Sequence, residues 1–270
     1  MQSKNSFKSL KFAQRLKKDV VRMIFDAKSS HLGGALSCLD VLSVLYTEIM
    51  RINPKIPHYK KRDYFILSKG HVAAVVYATL ANRGFFSKSE LKQFGKNNSI
   101  LSAHVSHKVR GVEVSTGSLG HGLPISIGLS IGLKNSKMNN KVYCMISDGE
   151  LNCGSTWESI MLAGHLGLKN LYCLIDKNNI QSYGNTKDII NLRELSSKFQ
   201  NFGWKTLSCD GHNHYEIKSA FKNASRDKNK PKALIFNTIK GKGIKNFENK
   251  LISHYRPPTE EELKEILEEN

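Results

Sequence analysis

The chain has 270 residues, of which 40% are hydrophobic and 24% charged, and it carries a formal net charge of +18 at pH 7. That balance excludes a low-complexity or collagen-like chain, and no apolar run approaches the roughly 18 residues that a membrane span requires. The lysine excess is compatible with a solvated basic surface, with attraction of small phosphorylated substrates, or with nucleic-acid binding, although no nucleic-acid motif accompanies it.

Residues 1–18 are polar and lysine-rich without an apolar core, so neither a signal peptide nor an anchor is expected there. Residues 14–26 and 39–50 have apolar positions at helical spacing. Residues 63–68 form the first short apolar run, and helical segments over 73–83 and 123–133 follow it. The second run is 141–147, with a helix over 156–166 behind it. The third is 170–176, followed by a helix over 192–202. A helix over 215–224 precedes the fourth run, 232–238. These four runs are apolar on both faces, as in strands covered by helices on either side. Such alternation predicts an α/β chain, a parallel sheet with helices on both faces and right-handed crossovers, with residues 1–270 as a single domain. The five cysteines show no paired metal spacing. Cys38, Cys144 and Cys173 sit in apolar runs, which fits buried, reduced thiols and a cytoplasmic setting.

Ligands of such sheets bind outside the carboxyl ends of the strands. Asp148-Gly149-Glu150 follows the second run directly, and Asn178 follows the third run 30 residues after Asp148. On neighbouring strands both side chains converge above the sheet, and an Asp carboxylate, an Asn amide oxygen and a backbone carbonyl suit octahedral Mg²⁺. Gly149 lets the backbone approach a phosphate, and a helix starting near Ser155-Thr156 favours an anion nearby. Spacing alone leaves open that the two segments are ordinary turns. Four histidines lie beside glycine or in loops: His31 before Gly33-Gly34, His71 after Ser68-Lys69-Gly70, His104 in Ser102-Ala103-His104, and His254 beyond Lys240-Gly241-Lys242-Gly243. Imidazole suits proton transfer and hydrogen bonding near neutral pH, while most loop histidines only meet solvent.

Residues 147–180, from Ser147-Asp148-Gly149-Glu150 to Asn178-Asn179-Ile180, resemble the thiamine-diphosphate motif, which begins Gly-Asp-Gly and ends about 30 residues on with Asn. The stretch 162–171 is similar to transketolases in particular. The resemblance runs from Ser30-His31-Leu32-Gly33-Gly34-Ala35 to His254 and is to the N-terminal subunit of a split transketolase. It implies thiamine diphosphate with Mg²⁺, for which Ca²⁺ or Mn²⁺ substitutes. Asp148, Asn178 and the Ile180 carbonyl would hold the metal, and Gly149 and Glu150 would lie in the diphosphate segment. Gly117, Ser118 and Leu119 would lie beneath the pyrimidine ring. His71 and His254 would reach the diphosphate and the reacting hydroxyls, and His31 and His104 the first carbon of a sugar and its carbonyl or hydroxyl. His58, His107, His165, His212 and His214 gain no such role.

The implied reaction moves a two-carbon ketol unit from a ketose, usually phosphorylated, to an aldose. The glutamate that activates the cofactor lies in a pyrimidine-binding domain that would follow residue 270. The resemblance therefore implies a separate transketolase C-terminal (pyrimidine-binding) subunit, two of each, with this chain inactive alone and no nucleic-acid or membrane partner. The sequence departs from the family at Ser147 (usually Gly), Cys153 (often Glu), Tyr183 (commonly Asp) and His121 (commonly Gln). Two alternatives stay open: the α subunit of a 2-oxo-acid dehydrogenase, and a degenerate binding or regulatory subunit, which these departures motivate.

Overall fold

The computed structural model describes residues 6–268, so parts of the 1–18 and 1–270 expectations lie outside the described residues. Helix α1 (Ser6–Asp26) begins well before residue 14. Helices α2 (Leu32–Ser37) and α3 (Leu39–Val44) follow, and α3 passes into a π-helical turn, Leu45–Ile49, so 39–50 is helical but not one regular helix. Strand β1 (Tyr64–Leu67) leads to α4 (Ala73–Arg83), and α5 (Gly122–Asn135) to β2 (Val142–Ser147). Helix α6 (Gly154–His165) connects to β3 (Leu171–Lys177). A small hairpin, β4 (Ile180–Gln181) with β5 (Gly184–Asn185), precedes α7 (Thr186–Ile189) and α8 (Leu195–Asn201). Strand β6 (Lys205–Asp210), α9 (His214–Ala224), β7 (Lys232–Asn237) and α10 (Glu260–Glu268) complete the order.

Five strands make one parallel sheet in the order β1-β2-β3-β7-β6. Side chains alternate between its faces. Phe65, Leu67, Tyr143, Met145, Tyr172, Leu174, Leu234 and Phe236 enter one core with α1, α3, α4 and α9. Ile66, Val142, Cys144, Ile146, Cys173, Ile175, Ala233 and Ile235 enter the other with α5, α6 and α8. Burial on both faces explains why β1, β2, β3 and β7 read as continuous apolar runs. Strand β6 is the unexpected one. It lies at the sheet edge and alternates exposed or half-buried Lys205, Leu207, Ser208 and Asp210 with buried Thr206, so it lacks the apolar run.

The chain winds outward from β1 to β3, then crosses to the edge strand β6 and returns to β7. The direction reverses between β3 and β7, which opens a crevice at their carboxyl ends. At the opposite ends of the strands, six lysines (Lys134, Lys137, Lys141, Lys169, Lys228 and Lys232) line a cavity of about 540 Å³ with one carboxylate, Asp227. Part of the net positive charge is thus gathered far from the crevice. Cys38, Cys144 and Cys173 are buried free thiols, while Cys153 and Cys209 are partly exposed. Among the described residues no helix is long and apolar enough to cross a membrane.

Candidate active site

The carboxyl ends of β1, β2, β3 and β7 converge on Asp176, the next-to-last residue of β3. Its carboxylate is buried and takes four partners. Lys69 Nζ donates to Oδ2 at 2.5 Å, Ser37 Oγ to Oδ2 at 2.5 Å, Thr238 Oγ1 to Oδ1 at 2.5 Å, and Asn178 Nδ2 to Oδ2 at 3.3 Å. Burial alone would raise the Asp176 carboxyl, but Lys69 and the hydroxyl donors hold it below its ordinary range. Burial likewise works against the Lys69 ammonium, and Asp176 more than offsets it, so Lys69 stays charged. Lys69 also donates to the Gly34 carbonyl at 3.0 Å. Removing either partner would strand a charge in a dry site, which typically costs about 3–5 kcal/mol. The pair therefore braces the floor of the crevice.

Above that floor lies a cavity of about 220 Å³, lined among others by Asp148, Asn178, Ile180, Gly117, Leu119, Gly149, Lys240 and His31, His71, His104 and His254. The two expected metal-binding segments meet there. Asp148 Oδ1 accepts from Gly149 N at 2.9 Å and Oδ2 from Asn179 N at 2.5 Å. Asn179 reaches this position because it takes a left-handed backbone, φ 64°, which Asn tolerates better than most residues. Asn178 Oδ1 accepts from Ile180 N at 3.1 Å. Burial, then Asp176, pushes the Asp148 carboxyl up to about 6. That carboxylate is short of positive charge, and its neighbours Asn178 Oδ1 and the Ile180 carbonyl are hard oxygen donors. A small divalent cation fits such a set. Among the described residues no three His, Cys, Asp or Glu side chains gather to hold a metal by themselves.

The four histidines form one cluster. His31 lies 5.0 Å from His71, 4.7 Å from His254 and 6.3 Å from His104, measured between ring centroids. His31 opens α2 in a left-handed conformation, φ 71°, and its backbone N–H donates to the His254 carbonyl at 3.0 Å. Gly33, in the first turn of α2, has no room for a side chain, since a Cβ there would lie 2.2 Å from Ser253 Oγ. Burial, then neighbouring positive groups, pushes His31 down to about 4 and His254 down to about 3, and His71 is lowered for the same reasons. These imidazoles are neutral near pH 7, each able to donate at one nitrogen and accept at the other.

Lys240, from the lysine-bearing loop 240–243 past β7, also lines the cavity. Its Nζ donates to the Ile180 carbonyl at 3.0 Å and lies 3.2 Å from His254 Nδ1. Burial, then Lys69, pushes it down to about 8. Lys69, Asp176 and Ser37 escape a reading of the sequence because a buried ion pair leaves no mark in local sequence. Two expected cofactor residues stand apart from the cavity lining. Ser118 is exposed. Glu150 is fully buried, where its Oε1 accepts from Ser68 Oγ and from Gly120 N at 2.8 Å. Burial raises its carboxyl, and among the described residues Oε2 has no hydrogen-bond partner. Glu150 thus ties the 117–122 loop to β1 and β2.

Of the departures, Ser147 lines the cavity and its Oγ accepts from Glu150 N at 3.1 Å. Cys153 precedes α6 as its N-cap without a side-chain cap bond, His121 is exposed, and Tyr183 is 86% exposed at the hairpin tip. Among the histidines given no role, His214 is buried and His212 half-buried, both bound to Asp40, so neither is a plain solvated side chain.

The family described as "Transketolase, thiamine diphosphate binding domain" matches residues 9–269. The chain is 37% identical over 257 residues to an apulose-4-phosphate transketolase subunit of Phocaeicola vulgatus, covering 95% of this chain and 92% of that protein. It is 39% identical over 240 residues to the 6-deoxy-6-sulfo-D-fructose transketolase subunit SqwG of Clostridium sp. (strain MSTE9), covering 88% and 87%. Among solved structures, transketolase from Campylobacter jejuni superposes with a TM-score of 0.90 at 30% identity, over 99% of this chain and 43% of that one. Transketolase from Leishmania mexicana superposes with a TM-score of 0.90 at 28% identity, over 96% and 40%. The chain therefore spans the length of the two split-enzyme relatives and well under half of these two transketolases.

Proposed function

The chain belongs to the transketolase family as a thiamine diphosphate binding domain, and we propose that residues 1–270 form the N-terminal subunit of an enzyme that transfers a two-carbon ketol unit from a ketose, usually phosphorylated, to an aldose. The observation that carries this reading is the single cavity in which Asp148, Asn178 and the Ile180 carbonyl stand with His31, His71, His104 and His254. The first three would hold Mg²⁺, and Gly149, His71, Lys240 and His254 would receive the diphosphate. Bound thiamine diphosphate supplies an electron sink for the carbanion that ketol transfer requires.

The chain's own residues bind, orient and move protons. A neutral imidazole can take a proton from a sugar hydroxyl at one nitrogen while donating a hydrogen bond at the other, so His31 and His254, with His104 beside them in the cavity, suit a polyhydroxylated substrate. The Lys240 ammonium favours an anion where diphosphate would sit. The Lys69–Asp176 pair fixes the floor beneath the metal donors.

The partner would be a pyrimidine-binding subunit, two copies of each, in the cytoplasm. Several relatives of this length are themselves named as transketolase subunits, which supports a split enzyme. So do the exposed apolar Ile125 on α5 and Met161 and Leu162 on α6, which offer surface to a covering chain. The test is co-expression with the pyrimidine-binding protein encoded beside this one. Ketol transfer that needs both chains, thiamine diphosphate and Mg²⁺ is the expected result. No cofactor binding by the purified complex would leave only a degenerate binding protein.

A further inference from the structure

Residues 238–241, which carry Lys240 into the cavity, are pinned at several points: Thr238 N donates to the Lys177 carbonyl at 3.0 Å, and the Lys240 carbonyl accepts from Asn249 N at 2.9 Å. Thr238 Oγ1 donates to Asp176 and Gly241 N donates to the Gly33 carbonyl at 3.0 Å. Between them, Ile239 N donates to a histidine ring, His212 Nε2, at 2.9 Å. Ile239 lies past the paired register of β6 and β7, which ends at Asp210 and Asn237. His212 lies two residues beyond β6 and supplies the acceptor.

A backbone amide can only donate, so His212 Nε2 must present its lone pair. The ring proton then sits on Nδ1, which lies 2.8 Å from Asp40 Oδ2. The other oxygen of Asp40 lies 3.1 Å from His214 Nε2, and that nitrogen donates to it. Burial alone would raise the Asp40 carboxyl, but hydrogen bonds from the two histidines hold it below its ordinary range, so it remains an acceptor. Asp40 comes from α3, His214 opens α9, and none of the three residues lines the cavity. The carboxylate thus selects the histidine tautomer, and the tautomer fixes the backbone one residue before Lys240.

We propose that His212, set in its Nδ1–H form by Asp40, is a positioning residue that aims Lys240 at the Ile180 carbonyl and at the diphosphate proposed to bind beside it. This rests on reading the cavity as the diphosphate site. His212 touches no reacting group, and its effect passes through Ile239 to Lys240.

Two measurements test it. On the chain without cofactor, ring-nitrogen NMR shifts report the tautomer of His212, and amide exchange reports the Ile239 hydrogen bond. The expected result is a neutral ring protonated at Nδ1, with Ile239 exchange at least tenfold faster in His212→Phe, which keeps the bulk and loses the acceptor. On the complex with its partner subunit, the Kd for thiamine diphosphate in Mg²⁺ is expected to rise about tenfold in His212→Phe. His212→Gln, whose amide oxygen can accept from Ile239, is expected to recover much of that loss at similar Tm. A purely structural role would lower Tm in both variants and leave the cofactor Kd alone. A His212 ring protonated at Nε2, or a Kd within twofold of wild type in His212→Phe, overturns the proposal. Should either variant fail to fold, the wild-type tautomer still decides the hydrogen bond. If the wild-type complex binds no thiamine diphosphate, the cofactor reading falls, and the tautomer and exchange results stand apart from that failure.

Discussion

The Lys240 ammonium and the Ile180 carbonyl are joined by a 3.0 Å hydrogen bond. The bond ties the segment after β7 to the turn after β3, across the crevice where the sheet reverses direction. It also puts a positive charge on the carbonyl proposed to share the metal.

Replacing Lys240 separates the metal from the diphosphate. Lys240→Met removes the charge proposed to meet the diphosphate while leaving Asp148, Asn178 and the Ile180 carbonyl in place. Calorimetry on the complex is expected to give a Kd for thiamine diphosphate at least tenfold weaker, about 1.4 kcal/mol. Mg²⁺ alone should bind no more weakly than to wild type. Equal weakening of both ligands would contradict the assignment.

Asp148 sets stability against function. Its carboxyl is raised from 3.8 to about 6 in the folded chain. A carboxyl with a raised folded value contributes stability below its unfolded value near 3.8 and loses it as pH climbs through about 6. At pH 7 without metal, its charge therefore works against folding, by roughly 1–3 kcal/mol. Asp148→Asn, which keeps one of the two acceptors used by Gly149 N and Asn179 N, is expected to flatten the fall in Tm of the cofactor-free chain between pH 4 and pH 7 and to abolish metal-dependent cofactor binding. An unchanged pH dependence of Tm, or retained activity, would sink the assignment.

The histidine cluster has the opposite sign. His31 and His254 are lowered from 6.5 to about 4 and about 3 in the folded state. The unfolded chain takes up those protons first, so their contribution to stability falls as pH drops from about 6.5 towards 3. NMR titration should show both rings still neutral at pH 5.5. Inorganic pyrophosphate should shift both values upward, because an anion stabilises imidazolium. Ordinary titration of either ring near pH 6.5 in the free chain would contradict the buried cluster.

Gly33 is a steric test of the turn that carries His254. A Cβ at Gly33 would meet Ser253 Oγ at 2.2 Å and Lys240 Cγ at 3.0 Å. Gly33→Ala is expected to lower stability by about 1–3 kcal/mol and to cut ketol transfer by the complex. Ser253→Gly in the same chain should restore a good part of both, since it removes the obstructing hydroxymethyl. No recovery in the double variant would show that the clash lies elsewhere.

The layout of the molecule is legible in the sequence where chemistry and locality coincide. Strands β1, β2, β3 and β7 are covered on both faces, so each appears as an unbroken apolar run. Strand β6 is an edge strand with Lys205, Ser208 and Asp210 along it, so hydrophobicity alone does not mark it. The meeting of Asp148 and Asn178 in one cavity can be read because strand ends converge, and the gathering of the four histidines there because the resemblance covers them. Lys69 and Asp176 cannot. Their bond joins residues 107 positions apart, and nothing near either one announces the other. Glu150 shows the reverse failure. It sits inside the legible motif, yet the fold turns its side chain away from the cavity toward Ser68 and Gly120.

The hydrogen bonds to Asp176 from Ser37, Lys69 and Thr238 span 139, 107 and 62 positions of chain. Contacts of that span form only after large loops have closed, and each closure costs entropy before any contact repays it. No short contiguous fragment contains the floor of the crevice, since its parts arrive with β1, β3 and β7. A chain with only local helices and one strand pair formed would have nothing for a diphosphate to recognise. The binding site is therefore a late product of folding, and a ligand added to the unfolded chain acts by trapping finished molecules rather than by guiding unfinished ones.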